Sequence, residues 1–551
     1  MREELETDNR GAAVREPRTA CFSIAVILTN RTKIKGSRTF PPGQGRPAHW
    51  PLTALLVTEL GALSVILWPL LYNFNKFAFW DWGGYLVAHY LLQQGHTPVT
   101  GFGWQYGLLP LLLQEIGFHF ARADPATFLA LSFLCAIAFT VAIGSFGKHE
   151  SGAAGQALIL LSLPFTVALG SDLPHALEPV CLTIGLLLQA KGKRPQALAL
   201  ATAACFTKPV MAYLYGFILI VFLILDLQRR DRLSVKDLTR ALLPAWCTGF
   251  GLILVLGLTF TWKALFTSLI PLSGAHVYRL LHYGWSGSAP ELFYFPGVRA
   301  AYYIGTPVTF WVIATVYLSA AVSVASWRTW RRNFRAPRNY EIVLTCALLH
   351  IGFITLFYGS ASSWIYYAYI LVMGVATTEC WNPTASRAIW VLCVLAAVSN
   401  YSQLKSSVIA WKTMERSPII SGLFASPNEI SEWENVTSMS EDKKPALFTW
   451  DGAADLLFPW LSKPVAAFIV PGMASGNEIR QEVQQLDTTK TLIIPVIPEL
   501  GNPIAKWPGP EFQAVLHRRT LVFKGLYFEV YERDGGQGMS ELSRSPESGR
   551  E

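Results

Sequence analysis

The stretch whose reading decides the fold is WDWGGYLVAHYLLQQGHTPVTGFGWQYGLLPLL, residues 80–112. It sets Asp81 between two Trp, follows Gly83–Gly84 with an apolar helix-like run at 85–94, and passes through Gly95 to a Gly- and aromatic-rich connection. A run this short does not cross ~30 Å of hydrocarbon, and rings at its edge suit a lipid–water boundary. It reads as a helix lying on the membrane surface. Just before it, 52–72 is an apolar run of spanning length, and just after it, 104–120 begins another.

Working outward, the pattern repeats. Apolar runs follow at 125–147, 152–170 and 174–190, then a pair at 195–206 and 209–227 interrupted at Thr207–Lys208–Pro209. Further runs lie at 241–265, 302–326, 341–358, 363–380 and 388–408. Pro209 favours a break, because it donates no backbone N–H and pushes Lys208 out of helical geometry.

Composition agrees. The chain of 551 residues is 52% hydrophobic and 15% charged, with 19 Trp and 32 Phe. A soluble domain carries roughly 25% charged residues, so this chain lacks the polar surface that water demands. Disorder, a coiled coil and a secreted disulfide scaffold are excluded. The net charge of +8 does not point to nucleic acid, because the basic residues gather in short loops between apolar runs. The eight Cys form no CxxC and no Cys/His cluster, so they read as small buried hydrophobes.

Those basic loops orient the chain. Lys191, Lys193 and Arg194 mark one inside loop, Arg229 to Arg240 a second, and Arg328 to Arg338 a third. The pair meeting at Thr207–Pro209 fits between the first two. This places 266–301 and everything beyond 408 outside. Four apolar runs separate the 74–103 loop from Lys191, whereas an outside-to-inside path needs an odd number, so one of the four is expected to be interfacial or re-entrant.

The expected fold is therefore an all-α polytopic membrane bundle of about 11–13 membrane segments, some of them re-entrant, with a small C-terminal α/β domain on the outer face. Residues 1–50 are expected to be a disordered basic cytoplasmic arm, 51–411 the transmembrane domain with outer loops 74–103 and 266–301, 412–534 the outer domain, and 535–551 a disordered tail. Within the outer domain ALFTW (446–450), AAFIV (466–470) and TLIIPV (491–496) read as strands, and RTLVFKGLYFEVYER (519–533) as a hairpin of alternating apolar residues. No GxGxxG and no P-loop suggest a nucleotide.

An acid between aromatic rings at the lipid boundary is partly desolvated and therefore more basic, and it could take a proton from an acceptor hydroxyl. The alternative from spacing alone is that Asp81 caps the helix that follows it. Asp172, His175 and Glu178 in SDLPHALEP (171–179) are ionisable groups at membrane depth, which are costly and mark functional sites by default. They also suit an outer-boundary cap and a solvated turn. Lys208, at the broken pair, offers a point charge for a lipid phosphate, or is a snorkelling loop Lys. In the outer loop Arg279 and His282 lie three apart and could share a helix face, Arg suiting phosphate and the neighbouring rings suiting sugars. That loop also reads as an ordinary interfacial amphipath. Tyr366, Tyr367 and Tyr369 read as an aromatic belt.

Asp81, Gly84, Tyr85, Gly95, Pro98 and Tyr106–Gly107, taken in order with the Thr207–Lys208–Pro209 step, resemble the C-type (GT-C) glycosyltransferase superfamily. The similar members are the protein O-mannosyltransferases, the aminoarabinose transferases and their bacterial homologues. The likeness covers roughly 75–430 in architecture and rests on motifs at 80–112 and 207–209. It implies a sugar donor on a polyprenyl phosphate and a loop acid as base, a role carried onto Asp81 alone. Many relatives have a second acid where this chain has Gly101–Phe102.

Together these readings predict a glycosyltransferase of the bacterial inner membrane, N-terminus cytoplasmic. Asp81 would be general base, with Asp172, His175, Glu178, Lys208, Arg279 and His282 around the substrate. The donor is a polyprenyl-phosphate sugar; the acceptor hydroxyl belongs to a protein, lipid or polysaccharide. No cofactor is required, and no metal is indicated. The alternatives are a transporter or flippase, and a catalytically inactive relative.

Overall fold

The computed structural model describes residues 50–71, 83–104, 106–167, 173–229, 234–270, 363–378, 385–416, 423–440, 444–448, 476–496 and 510–533, with single positions between 317 and 349. Its membrane part is built from α1 (Trp50–Leu71), α2 (Gly84–Gln93), α3 (Leu108–Phe120), α4 (Pro125–Glu150), α5 (Ala153–Val167), α6 (Leu173–Ala190), α7 (Arg194–Cys205), α8 (Pro209–Arg229), α9 (Val235–Thr259), α10 (Trp262–Ser268), α11 (Ser363–Thr378) and α12 (Ala385–Thr413).

The helix limits follow from local chemistry. Asp124 caps α4 by accepting the Thr127 N–H at 2.8 Å, with Pro125 in the first turn. Ser234 caps α9 through the Asp237 N–H at 3.1 Å, so this helix starts earlier than the apolar run at 241 suggests. It also ends earlier, at Thr259. Thr261 turns the chain with φ 134° and caps α10 through the Ala264 N–H.

Among the described residues five helices are long and apolar enough to cross a membrane: Pro125–His149, Leu173–Ala190, Met211–Gln228, Val235–Thr259 and Ala385–Thr413. Their outward faces are apolar too. Leu243, Trp246, Phe250, Leu254 and Leu258 form an exposed stripe on α9 at helical spacing, and Trp390, Val391, Val394 and Val398 do so on α12. Stripes of this size mark contact with lipid, and the chain is a multi-pass membrane protein. Cys247 is likewise exposed on α9, a correction to the expectation that the Cys are buried; Cys181, Cys346 and Cys393 do lie in the core.

Among the described residues two sets of helices pack around α4, which contacts α6 on one side and α1 and α11 on the other. In one, α1, α5, α11 and α12 pack together; Asn400 of α12 donates to the Leu161 carbonyl at 2.7 Å and Trp411 to that of Ile66 at 2.9 Å. In the other, α7 sits among α6, α8 and α9. Its buried face is Ala197, Leu198, Ala201 and Ala204, small enough to let neighbouring backbones approach. Arg194 at its start pairs with Asp226 near the end of α8, closing the α7–α8 hairpin on the side of the Lys191–Arg194 turn. Helices α3 and α5 are the shorter apolar helices among the four early runs. The 13 residues of α3 reach about 20 Å, less than the hydrocarbon thickness.

Beyond α12 the chain forms a short ladder, β1 (Glu415–Arg416) with β2 (Phe424–Ala425), then α13 (Pro427–Ser440), β3 (Ala446–Leu447), α14 (Gly476–Thr488), β4 (Thr491–Pro495), α15 (Pro510–His517), β5 (Arg519–Lys524) and β6 (Phe528–Arg533). The four-stranded sheet has the order β3-β4-β6-β5, with β3 parallel to β4 and the rest antiparallel. The hairpin expected at 519–533 is β5–β6, with a register shift between Leu521 and Phe523. The expected strand at 466–470 lies outside the described residues. One face of the sheet packs Phe448, Leu492 and Ile494 against α14 and α15. The other face, through Ile493, Phe528 and Val530, shares a core with Tyr85, Phe102 and Trp104 of the 84–107 segment. The small domain is thus seated on the 84–107 segment.

Candidate functional site

Helix α2 buries one face against the protein. Tyr85, Leu86, Val87, Ala88 and Leu91 are buried, and its N-cap is Gly83. Asp81, to which spacing offered a capping role, lies outside the described residues. Tyr85 is the centre of a ring cluster. It stacks on Phe128 at 4.7 Å and on Tyr106 at 6.2 Å, and meets Trp104 edge-on at 5.7 Å.

The connection after α2 folds back on itself. Gly101 and Phe102 both donate to the Thr97 carbonyl, at 2.7 and 3.2 Å. A Cβ on Gly101 would lie 2.8 Å from the Thr97 nitrogen and 2.9 Å from its oxygen. The turn therefore excludes any side chain at 101, so the absence of an acid there is a steric requirement of this loop.

The connection then docks on the break between α7 and α8. The Gly107 N–H donates to the Thr207 carbonyl at 2.9 Å, and the Leu109 N–H to the Phe206 carbonyl at 2.9 Å. These carbonyls are available because α7 has ended at Cys205 and α8 starts only at Pro209. Contact is backbone to backbone: a Cβ on Gly107 would fall 2.0 Å from the Phe206 oxygen. The Trp104 indole donates to the Gly107 carbonyl at 3.2 Å, which fixes the last turn of the loop. So the two motifs noted in the sequence, Tyr106–Gly107 and Thr207–Lys208, are in direct contact.

Three charged or ionisable side chains converge there. The Lys208 ammonium stands 5.7 Å from the centre of the Tyr106 ring, a cation–π distance. The His175 ring meets the same Tyr106 ring edge-on at 5.5 Å. Glu178, one turn further along α6, lies within electrostatic reach of Lys208. His175 and Glu178 are 4% and 2% exposed, which rules out the solvated turn that their sequence also allowed. Helix α6 runs through Pro179 without ending, so both residues point inward. Glu178 Oε1 and Thr207 Oγ1 have no hydrogen-bond partner among the described residues, and such buried atoms are costly unless a ligand or water meets them.

The site also contains residues that the sequence did not single out. Tyr215 of α8 and Tyr369 of α11 interact through their hydroxyls, both within electrostatic reach of Glu178. Tyr369 is fully buried, so it is not part of an aromatic belt. Nothing in the linear pattern separates it from Tyr366 and Tyr367; only helix packing does. Asp172, Arg279 and His282 lie outside the described residues. No three His, Cys, Asp or Glu side chains gather as metal ligands among the described residues.

The depth of the site follows from helix lengths. Arg194–Cys205 is 12 residues, or about 18 Å of helix from the Lys191–Arg194 turn to the break. Glu178 is at a comparable distance from the end of α6 at Ala190. Both therefore sit well inside the bundle, toward the side opposite that turn.

Among solved structures the chain is similar to ArnT from Cupriavidus metallidurans bound to undecaprenyl phosphate, at 10% identity over 89% of this chain and 99% of that one, TM-score 0.41. It is similar to the apo state of the same protein at 11% identity, over 86% and 97% of the two chains, also with TM-score 0.41. No family model and no curated protein matches the chain. At this identity and TM-score the likeness extends to neither family nor activity, and the functional reading rests on the residues of this chain.

Proposed function

We propose that this protein transfers a sugar from a polyprenyl-phosphate donor to an acceptor hydroxyl on the extracytoplasmic face. The observation that carries the reading is the docking of the 96–107 connection on the Thr207–Lys208 step, which joins the acid-bearing loop to Lys208 and the buried His175 and Glu178. Asp81, at the head of that loop, takes the proton of the acceptor hydroxyl as its oxygen attacks the anomeric carbon. The bond from that carbon to the phosphate oxygen breaks with inversion, and the lipid phosphate leaves as a stabilised anion. Lys208 balances its charge, with Arg279 as the second cation from the 266–301 loop. His175 and Glu178, buried and polar, are suited to sugar hydroxyls. Most of the acceleration comes from positioning and charge.

The test is sugar release from a panel of polyprenyl-phosphate sugars by purified protein in lipid, comparing wild type with Asp81→Asn. Turnover in the wild type alone is the expected result. Equal turnover in both removes Asp81 from the role of base and moves it to Asp172 or to Glu178, a buried carboxyl within electrostatic reach of Lys208. A broken helix with a charge at the break also suits a transporter. Tight donor binding with no release in either protein would favour that reading.

A further inference from the structure

The segment that carries Tyr106 is held from above as well as from below. The Gly103 N–H donates to both carboxylate oxygens of Glu478, at 2.9 and 3.1 Å, across 375 residues of chain. Glu478 belongs to the first turn of α14 in the outer domain, and is 3% exposed. A charge-assisted bond in a buried place is stronger than an ordinary backbone bond. It is also the start of a continuous line of contacts. From Gly103 the chain passes to Trp104, whose indole holds the Gly107 carbonyl, and Gly107 in turn holds Thr207 beside Lys208. Tyr106, between these anchors, covers both Lys208 and His175.

We infer that Glu478 is a positioning residue of the site: the outer domain, through this carboxylate, fixes the 103–109 segment on the α7–α8 break and so sets Tyr106 over Lys208. The outer domain is then a part of the site and not an appendage. The local claim stands on these contacts; its consequence for turnover rests on the transferase reading.

Two variants of the full chain in lipid, Glu478→Ala and Glu478→Gln, test it, with amide hydrogen exchange and sugar release measured on each. Loss of a hydrogen bond to a charged acceptor predicts exchange on the order of ten-fold faster or more across 103–109 in Glu478→Ala. Exchange in β4 and β6 should stay as in the wild type. Glu478→Gln keeps an acceptor oxygen and should retain most of the protection and most of kcat/KM, which Glu478→Ala loses. Unchanged exchange at 103–109 in Glu478→Ala overturns the inference. So does faster exchange throughout β4 and β6, which would make Glu478 a residue of the domain's own fold. Looser 103–109 with full kcat/KM overturns the positioning role. If the wild type turns over no donor, the transferase reading fails, and exchange alone decides whether Glu478 holds the segment.

Discussion

Lys208 shows how a single charge acquires a role from its neighbours. Alone in the sequence it is a cation beside a proline; in the fold it faces the Tyr106 ring and lies close to Glu178. If it balances a leaving phosphate, Lys208→Met should raise the donor KM or Kd by about ten-fold or more, the worth of one charge-assisted contact. Lys208→Arg should recover part of it. An unchanged donor affinity in Lys208→Met would remove the phosphate from this place. A second residue makes a prediction about pH. Glu482 lies on the apolar face of α14 with Ile479, Val483 and Leu486, its Oε1 without a hydrogen-bond partner among the described residues. Burial pushes its carboxyl up from 4.5 to about 8. The folded chain therefore keeps a proton that the unfolded chain has released. With respect to this group stability is greatest below pH 4.5 and falls as pH rises toward 8. Glu482→Gln should flatten that slope and raise the thermal midpoint at pH 8. A variant whose pH profile matches the wild type would place the proton elsewhere.

At the scale of elements, the outer domain relies on backbone groups met by single side chains. Glu432 of α13 accepts the N–H groups of Leu526, Tyr527 and Phe528, which turns the β5–β6 hairpin against the helix. Arg519, at the start of β5, caps the end of α14 by donating to the carbonyls of Leu486, Thr489 and Lys490. Burial lowers the Arg519 guanidinium to about 10, still charged at neutral pH. Removing the acceptor of three N–H groups at once predicts that Glu432→Ala lowers stability by about 2 kcal/mol or more, read as a fall in the thermal midpoint, with Glu432→Gln between it and the wild type. A midpoint that does not move would show the turn to be held by packing alone. The hairpin itself was legible, because alternation over 519–533 is a local signal. Its clasp was not. Glu432 lies 94 residues from Leu526, and no spacing rule links an acid on one helix to a distant turn.

For the whole molecule, the basic loops predict an orientation that labelling can check. In a cysteine-free background, a single Cys at Gly192 should be shielded from an impermeant thiol reagent added to intact cells, and one at Lys524 should be labelled. The reverse pattern would invert the topology and take the site away from the outer face. The sequence by itself determined what is additive along the chain. Apolar length specifies spans, Pro209 the break, and basic loops the direction of crossing, each through the local balance of desolvation and backbone satisfaction. It also marked 80–112 and 207–209 as unusual, and His175, Glu178 and Lys208 as ionisable groups at depth. Tertiary structure alone decided that these meet. Gly107 packs against the Phe206 carbonyl and donates to that of Thr207 because it has no side chain in the way and α7 has already ended. Tyr369 leaves the lipid belt for the core because of how α11 packs, and Glu478 finds Gly103 only after the outer domain has settled on Tyr85 and Trp104. Contacts between distant segments depend on the whole set of packing choices, which a periodicity read within one segment does not contain.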